Sequence, residues 1–119
     1  MFVALGKRDH VAFALIRRLK LHNVLTVPAS TIAEFWRSQR GFGETRFGLL
    51  KPTVVPVDES LAKRAGELLK RAGGRDAMDA IIVALAERTG ARRIYTSDVA
   101  DIERLLGVAT DWGCEVVAV

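Results

Sequence analysis

The stretch "DAMDAIIVALAERTG", residues 76–90, is followed almost at once by "RRIYT", residues 92–96, and this pair decides the fold. The first segment is apolar on nearly every side and ends at a glycine, which predicts a helix buried around most of its surface. The second segment is short and ends in Ile, Tyr and Thr, which predicts a strand. A buried helix that leads into a strand is typical of proteins in which helices cover a parallel sheet.

The same alternation of helix and strand continues along the rest of the chain. Apolar spacing predicts further helices at 8–22, 30–40, 59–74 and 98–107, and strands at 23–28, 53–58 and 114–119. Pro56 lies inside the strand at 53–58 and indicates an edge position. The 119 residues are therefore predicted to form a single domain, residues 1–119, as a three-layer α/β sandwich with a parallel sheet and helices on both faces.

Composition excludes several classes of protein. Half of the residues are hydrophobic and 27% are charged, as in ordinary globular domains. The longest strongly apolar run, residues 80–86, is too short to cross a membrane, and Arg17, Arg18 and Lys20 interrupt any secretory signal. The one cysteine, Cys114, excludes an internal disulfide and fits a reducing compartment. We therefore expect a cytoplasmic protein with no membrane partner.

Charge is distributed unevenly along the chain. Residues 1–51 hold nine Lys and Arg against three acids, a balance of +6, whereas residues 52–119 hold nine against eleven, a balance of −2. A basic half beside an acidic one suits a protein that attracts a polyanion and uses carboxylates locally. A basic but otherwise ordinary surface explains the same numbers equally well.

Several acids are predicted to meet at one edge of the sheet. Glu34 lies early in the helix after the first predicted strand, Asp76 and Asp79 begin the buried helix, and Asp98 and Asp101 follow "RRIYT". In a parallel α/β sheet the carboxyl ends of the strands and the helices that follow them share one edge. Crowded carboxylates repel one another unless a cation or a proton relieves them, and acids without His or Cys favour a hard divalent ion such as Mg²⁺.

A purely structural interpretation of the same acids stays open at this point. Carboxylates are favoured at helix N-termini, where they accept hydrogen bonds from free backbone N–H groups. Thr31 and Glu34 have the spacing of a capping box, and Asp76 and Asp98 are suitable caps. Asp79, however, is not needed as a cap where Asp76 already serves.

Two segments, "PASTIAEFWR" and "RDAMDAIIVALAERTGARRIYTSD", resemble the PIN-domain nucleases, most closely the VapC-type toxins of bacterial toxin–antitoxin pairs. The resemblance covers nearly the whole chain and implies an α/β sandwich whose acids bind Mg²⁺ or Mn²⁺ and cut single-stranded RNA. It implies that Glu34, Asp79 and Asp98 are the metal ligands and catalytic residues. It gives supporting positions to three more residues: Thr96, Asp76 and Asp101.

The beginning of the chain departs from the pattern of the family. Its members begin with a central strand that ends in an aspartate, whereas this sequence opens directly on "FVALGKRD". We therefore expect the sheet to lack its N-terminal central strand and the site to lack its first acid. Asp9 is a poor replacement, because it lies beyond "FVAL" and is suited to capping a helix. We expect that further residues precede this start; the alternative is that this form has lost activity.

The resemblance also implies a function and partners. We expect a Mg²⁺-dependent endoribonuclease that cleaves single-stranded or structured RNA, serves as the toxin of a type II toxin–antitoxin system, and forms a homodimer. Arg37, Arg40 and Arg46 are expected to guide the RNA. Phe35 and Trp36 either fill the core or anchor the antitoxin. The alternative function is a non-catalytic PIN-like module that binds RNA or a partner protein, because the first aspartate is absent.

Overall fold

The structure is a computed structural model that describes residues 2–4 (backbone only), 25–37, 47–48 and 51–118. Its centre is a parallel sheet of five strands in the order β3-β2-β1-β4-β5. The strands are β1 (Phe2–Ala4), β2 (Thr26–Pro28), β3 (Thr53–Val55), β4 (Arg93–Thr96) and β5 (Glu115–Ala118). Strand β3 ends just before Pro56 and lies at one edge of the sheet, as the proline predicted.

The expectation that the sheet lacks its central strand was wrong. Residues 2–4 occupy the central position, where Phe2 is aligned with Thr26 of β2 and Ala4 is aligned with Thr96 of β4. A gap between β2 and β4 would leave two rows of backbone N–H and C=O groups unpaired, and a segment of suitable length relieves that cost. The first acid after this strand in the sequence is Asp9, which lies outside the described residues.

Four helices connect and cover the strands in the described part of the chain. They are α1 (Ser30–Trp36), α2 (Glu59–Ala72), α3 (Ala77–Thr89) and α4 (Val99–Leu106). The last three agree closely with prediction, and both α2 and α3 end at glycines, Gly73 and Gly90, whose φ angles of 69° and 66° only glycine adopts readily. The predicted helix at 8–22 lies outside the described residues.

Helix α3 forms the middle of the hydrophobic core, as its apolar sequence predicted. Val83 and Leu85 are fully buried, and they belong to one cluster with Leu68 of α2 and Ile102 of α4. On β4, Ile94 joins this cluster, while the next residue, Tyr95, is 1% exposed. Successive side chains of a strand point to opposite faces, so both faces of β4 are covered, as a three-layer sandwich requires.

Helix α1 carries two neighbouring aromatic residues with different environments. Phe35 is 8% exposed and Trp36 is 48% exposed, and both rings lie edge-on to Phe47 at centroid distances of 5.3 and 5.4 Å. Phe35 is therefore part of the interior, whereas the indole of Trp36 remains half accessible to solvent or to a partner.

A partly buried ion pair joins α2 to α3. The guanidinium of Arg64 donates two hydrogen bonds to the carboxylate of Glu87, at 2.7 and 2.8 Å, and the same carboxylate accepts a bond from the backbone N–H of Thr110 at 2.8 Å. These contacts hold the pKa of Glu87 down at about 2, chiefly through the bond from Arg64. None of the helices in the described ranges has the length and apolarity needed to cross a bilayer.

Candidate metal centre

Parallel topology brings three carboxylates together at one edge of the sheet. Asp79 lies in the first turn of α3, while Asp98 follows the end of β4 and Asp101 lies in the first turn of α4. One oxygen from each of these aspartates lies within 4.8 Å of the others. We call Asp79, Asp98 and Asp101 the acid cluster.

Asp79 is the buried member of the acid cluster. It is 8% exposed, and its Oδ2 atom is fully enclosed without a hydrogen-bond partner among the described residues. Burial is the largest cause that raises the pKa of this carboxyl, and the charges of Asp76, Asp98 and Asp101 act in the same direction. Together they raise this pKa from 3.8 to about 7. An enclosed carboxylate oxygen without a donor is costly, and a cation is one group that relieves the cost.

Asp76 stands beside the acid cluster and caps α3. Its Oδ1 atom accepts hydrogen bonds from the backbone N–H groups of Met78, at 2.9 Å, and Asp79, at 3.2 Å. The interpretation of Asp76 as a helix cap is thus confirmed, and Asp79 is not needed as a cap. Asp76 still adds its negative charge to the surroundings of Asp79.

Asp98 both caps α4 and belongs to the acid cluster. Its Oδ1 atom accepts from the backbone N–H of Asp101 at 3.3 Å. The backbone N–H of Asp98 donates to Oγ1 of Thr96 at 2.9 Å, and Thr96 is 1% exposed. The buried threonine therefore fixes the turn between β4 and α4, and with it the position of Asp98. Capping and clustering are not exclusive, since each carboxylate has two oxygens.

Asp101 is half-buried and lies between the acid cluster and an arginine. A hydrogen bond with Asp98 and the charge of that residue raise the pKa of Asp101. On the other side its Oδ1 atom lies 3.5 Å from an Nη1 atom of Arg104, one turn further along α4. This exposed ion pair offsets part of the repulsion within the acid cluster.

The structure does not bring Glu34 into the acid cluster within the part of the chain that it describes. Its Oε2 atom lies 3.5 Å from Nε of Arg37, the residue that follows α1, and the glutamate side chain is 34% exposed. Arg37, predicted to guide RNA, is exposed and held in this pair. Arg40 and Arg46 lie outside the described residues.

The donors present fit a hard divalent cation. The acid cluster offers carboxylate oxygens only, with no His or Cys in the group. Mg²⁺ and Mn²⁺ prefer such oxygens together with water, whereas Zn²⁺ sites usually include nitrogen or sulfur. The partnerless Oδ2 of Asp79 supplies independent support, because it is a buried acceptor that nothing in the described residues satisfies.

An open cleft of about 510 Å³ lies beside the acid cluster, and Asp101 is the member of the cluster that lines it. The loop from Gly73 to Ala77 forms one side, and Asp101 and Arg104 of α4 form the other. Sequence reasoning missed the two arginines that line it, Arg75 and Arg104, because it looked for positive charge in the basic N-terminal half. The available signal was their position: Arg75 precedes Asp76, and Arg104 lies one turn after Asp101.

A parallel α/β sheet with aspartates gathered at the carboxyl ends of its strands defines a protein equipped for divalent-metal chemistry on a polar ligand. Comparison with known families makes this specific: the PIN domain model matches residues 1–105, and the chain belongs to the PIN-domain family. Proteins of this family are generally metal-dependent nucleases. No curated protein gives a significant match to the chain.

Proposed function

We propose that this protein is a metal-dependent endoribonuclease that cleaves single-stranded RNA. The observation that carries the proposal is the buried Oδ2 atom of Asp79, which has no hydrogen-bond partner in the described part of the chain. Asp79 also belongs to a group of three aspartates, each with one oxygen within 4.8 Å of the others. Asp79 and Asp98 would hold Mg²⁺ or Mn²⁺, with Asp101 in support. Glu34 would contribute through water, since it lies outside the acid cluster.

The chemistry that the metal supplies when bound is activation of water and neutralisation of charge on the phosphoryl oxygens. The chain's own residues prepare for it in two ways. Asp79, whose pKa is about 7 without a metal, must release its proton to act as a ligand, so metal binding is expected to weaken as the pH falls. Thr96 accepts a hydrogen bond from the backbone N–H of Asp98 and so holds the backbone position from which this carboxylate projects.

The biological role that we propose is that of a toxin in a type II toxin–antitoxin pair, acting in the cytoplasm as a homodimer. The support is the sequence resemblance and the membership of the PIN-domain family. A cognate antitoxin would neutralise it, and the half-exposed Trp36 beside the buried Phe35 is the proposed anchor for its peptide. Induced expression in bacteria is expected to arrest growth, and the Asp79→Asn variant is expected not to. Equal growth arrest by the wild type and Asp79→Asn would show that nuclease activity does not cause the arrest.

The direct test of the activity is cleavage of a labelled single-stranded RNA in Mg²⁺, in Mn²⁺ and in EDTA. The wild type is expected to cut only with a metal present. Asp79→Asn is expected to cut at least about 100-fold more slowly, because mutation of metal ligands, or of residues that hydrogen-bond to them, has effects of this size. Glu103→Gln is the matched control: Glu103 is an exposed acid on α4 with no side-chain partner among the described residues. A DNA of the same sequence tests the choice of substrate. Full activity of Asp79→Asn would overturn the proposal.

A second candidate is a non-catalytic module that binds RNA or a partner protein. One observation favours it: no acid follows β1 between Ala4 and Asp9, where the family has an aspartate. Calorimetry with Mn²⁺ separates the two candidates. The nuclease requires metal binding that is lost in Asp79→Asn, whereas RNA binding without any heat of metal binding would favour the module.

A further inference from the structure

The described residues that line the cleft beside the acid cluster are charged residues, glycines and one alanine, and none of them is aromatic. Gly73 and Gly74 have no side chains to fill the cleft, which is open to solvent. A nucleobase usually binds where an aromatic ring can stack on it. Within the described part of the chain, this cleft has two arginines and no such ring, which suits a sugar–phosphate backbone.

Arg75 is the more available of the two arginines that line the cleft. It is exposed, and within the described residues it forms no ion pair and no side-chain hydrogen bond. Its neighbour Asp76 already accepts two backbone hydrogen bonds at the start of α3. Because the Asp76 carboxylate is already used as a helix cap, the N–H groups of Arg75 remain free to bind phosphate oxygens. Arginine binds such oxygens with a planar pair of N–H groups.

Arg104 faces the same cleft from α4. Its pair with Asp101, at 3.5 Å, is long, and the side chain is 54% exposed. Exposed pairs of this kind contribute about 0–1 kcal/mol, so a phosphate group competes with Asp101 at little cost. When a cation occupies the acid cluster, Asp101 is compensated from that side as well and holds Arg104 less strongly.

We propose that Arg75 and Arg104 bind a backbone phosphate of the nucleic acid in this cleft, next to the phosphate that is cut. Asp101 connects the two positions, because it lines the cleft and is also a member of the acid cluster. The inference rests on the proposed function for its choice of ligand. It adds a positioning subsite, which binds the RNA and sets which phosphate lies at the acid cluster. The acid cluster holds the metal for the cleavage step.

The test is equilibrium binding of a fluorescein-labelled single-stranded RNA in EDTA, measured by anisotropy over a range of salt concentrations. Binding without metal separates the subsite from catalysis. Arg75→Ala and Arg104→Ala are each expected to weaken binding by about five-fold at low salt, and each lost phosphate contact lowers the magnitude of the salt slope by about 0.7. The matched control is Arg92→Ala, because Arg92 is exposed, without a side-chain partner among the described residues, and lies at the opposite end of β4.

A second probe is the same RNA sequence with uncharged methylphosphonate linkages. The wild type is expected to lose affinity for it, and the double variant Arg75→Ala/Arg104→Ala is expected to lose less. Thermal melting checks that every variant folds. The proposal is overturned if Arg75→Ala and Arg104→Ala bind like Arg92→Ala, or if the wild type does not bind RNA. If these variants bind more weakly but the wild type never cleaves, the subsite stands and the nuclease proposal fails.

Discussion

Replacing Asp79 by Asn is expected to make the folded protein more stable while it destroys the metal site. The pKa of Asp79 rises from 3.8 to about 7 in the folded state. A tenfold change in proton affinity is worth about 1.4 kcal/mol, so the ionised carboxylate costs the folded state about 4 kcal/mol above about pH 7. Asn has nearly the same shape and cannot ionise, so the variant avoids this cost.

The sign of the pH dependence follows from the protons that each state binds. Between about pH 4 and pH 7 the folded protein keeps the proton on Asp79 and the unfolded chain does not, so stability falls as pH rises. About 2.5 kcal/mol of this loss of stability is expected between about pH 5 and pH 8. Urea unfolding in EDTA at these two pH values measures the difference in the free energy of unfolding. The loss due to Asp79 is expected in the wild type and is expected to be absent in Asp79→Asn.

Metal provides the second half of the same experiment. At about pH 8, added Mn²⁺ is expected to raise the stability of the wild type, because a ligand that binds only the folded state stabilises it. It is expected to leave Asp79→Asn almost unchanged. The control Glu103→Gln should keep both the pH dependence and the response to Mn²⁺. Identical pH profiles for the wild type and Asp79→Asn would refute the claim that burial and the neighbouring acids strain this carboxylate.

Three further predictions concern other parts of the molecule. Arg64→Ala should lower the free energy of unfolding by about 2 kcal/mol near neutral pH, because it breaks the partly buried ion pair with Glu87. Since the pKa of Glu87 is about 2, this difference between wild type and variant should shrink as the pH drops from about 4.5 toward 2, which urea unfolding would measure. Phe35→Ala should cost about 3–5 kcal/mol and Trp36→Ala clearly less in thermal melting, because only Phe35 is buried; an equal loss would contradict the exposure of the indole. Glu34→Gln should weaken Mn²⁺ binding less than Asp79→Asn does in calorimetry, since Glu34 pairs with Arg37 outside the acid cluster.

Much of the fold was predictable because single physical signals dominated particular segments. The apolar surface of α3 predicted its central place in the core, and Gly73 and Gly90 marked the ends of two helices. The position of Phe2–Ala4 was not predictable in the same way. Three residues carry no usable periodicity, and their place depends on pairing with β2 and β4, which are distant in the sequence.

The candidate site was predictable in outline but not in membership. Parallel topology was enough to bring Asp79 and Asp98 to one edge of the sheet. Whether Asp101 or Glu34 joins them depends on the orientation of the first turns of α4 and α1, which residue spacing does not determine. Spacing also could not separate a cap from a ligand candidate, and Asp98 shows why: it caps α4 and belongs to the acid cluster at once.

The most direct measurement of the central claim is X-ray diffraction from a crystal soaked in Mn²⁺, with the anomalous signal used to locate the ion. The expected result is a strong peak coordinated by carboxylate oxygens of Asp79 and Asp98, beside Asp101, that is absent from crystals of Asp79→Asn. A soaked wild-type crystal with Mn²⁺ bound elsewhere and no peak at the acid cluster would contradict the metal centre and, with it, the proposed nuclease chemistry.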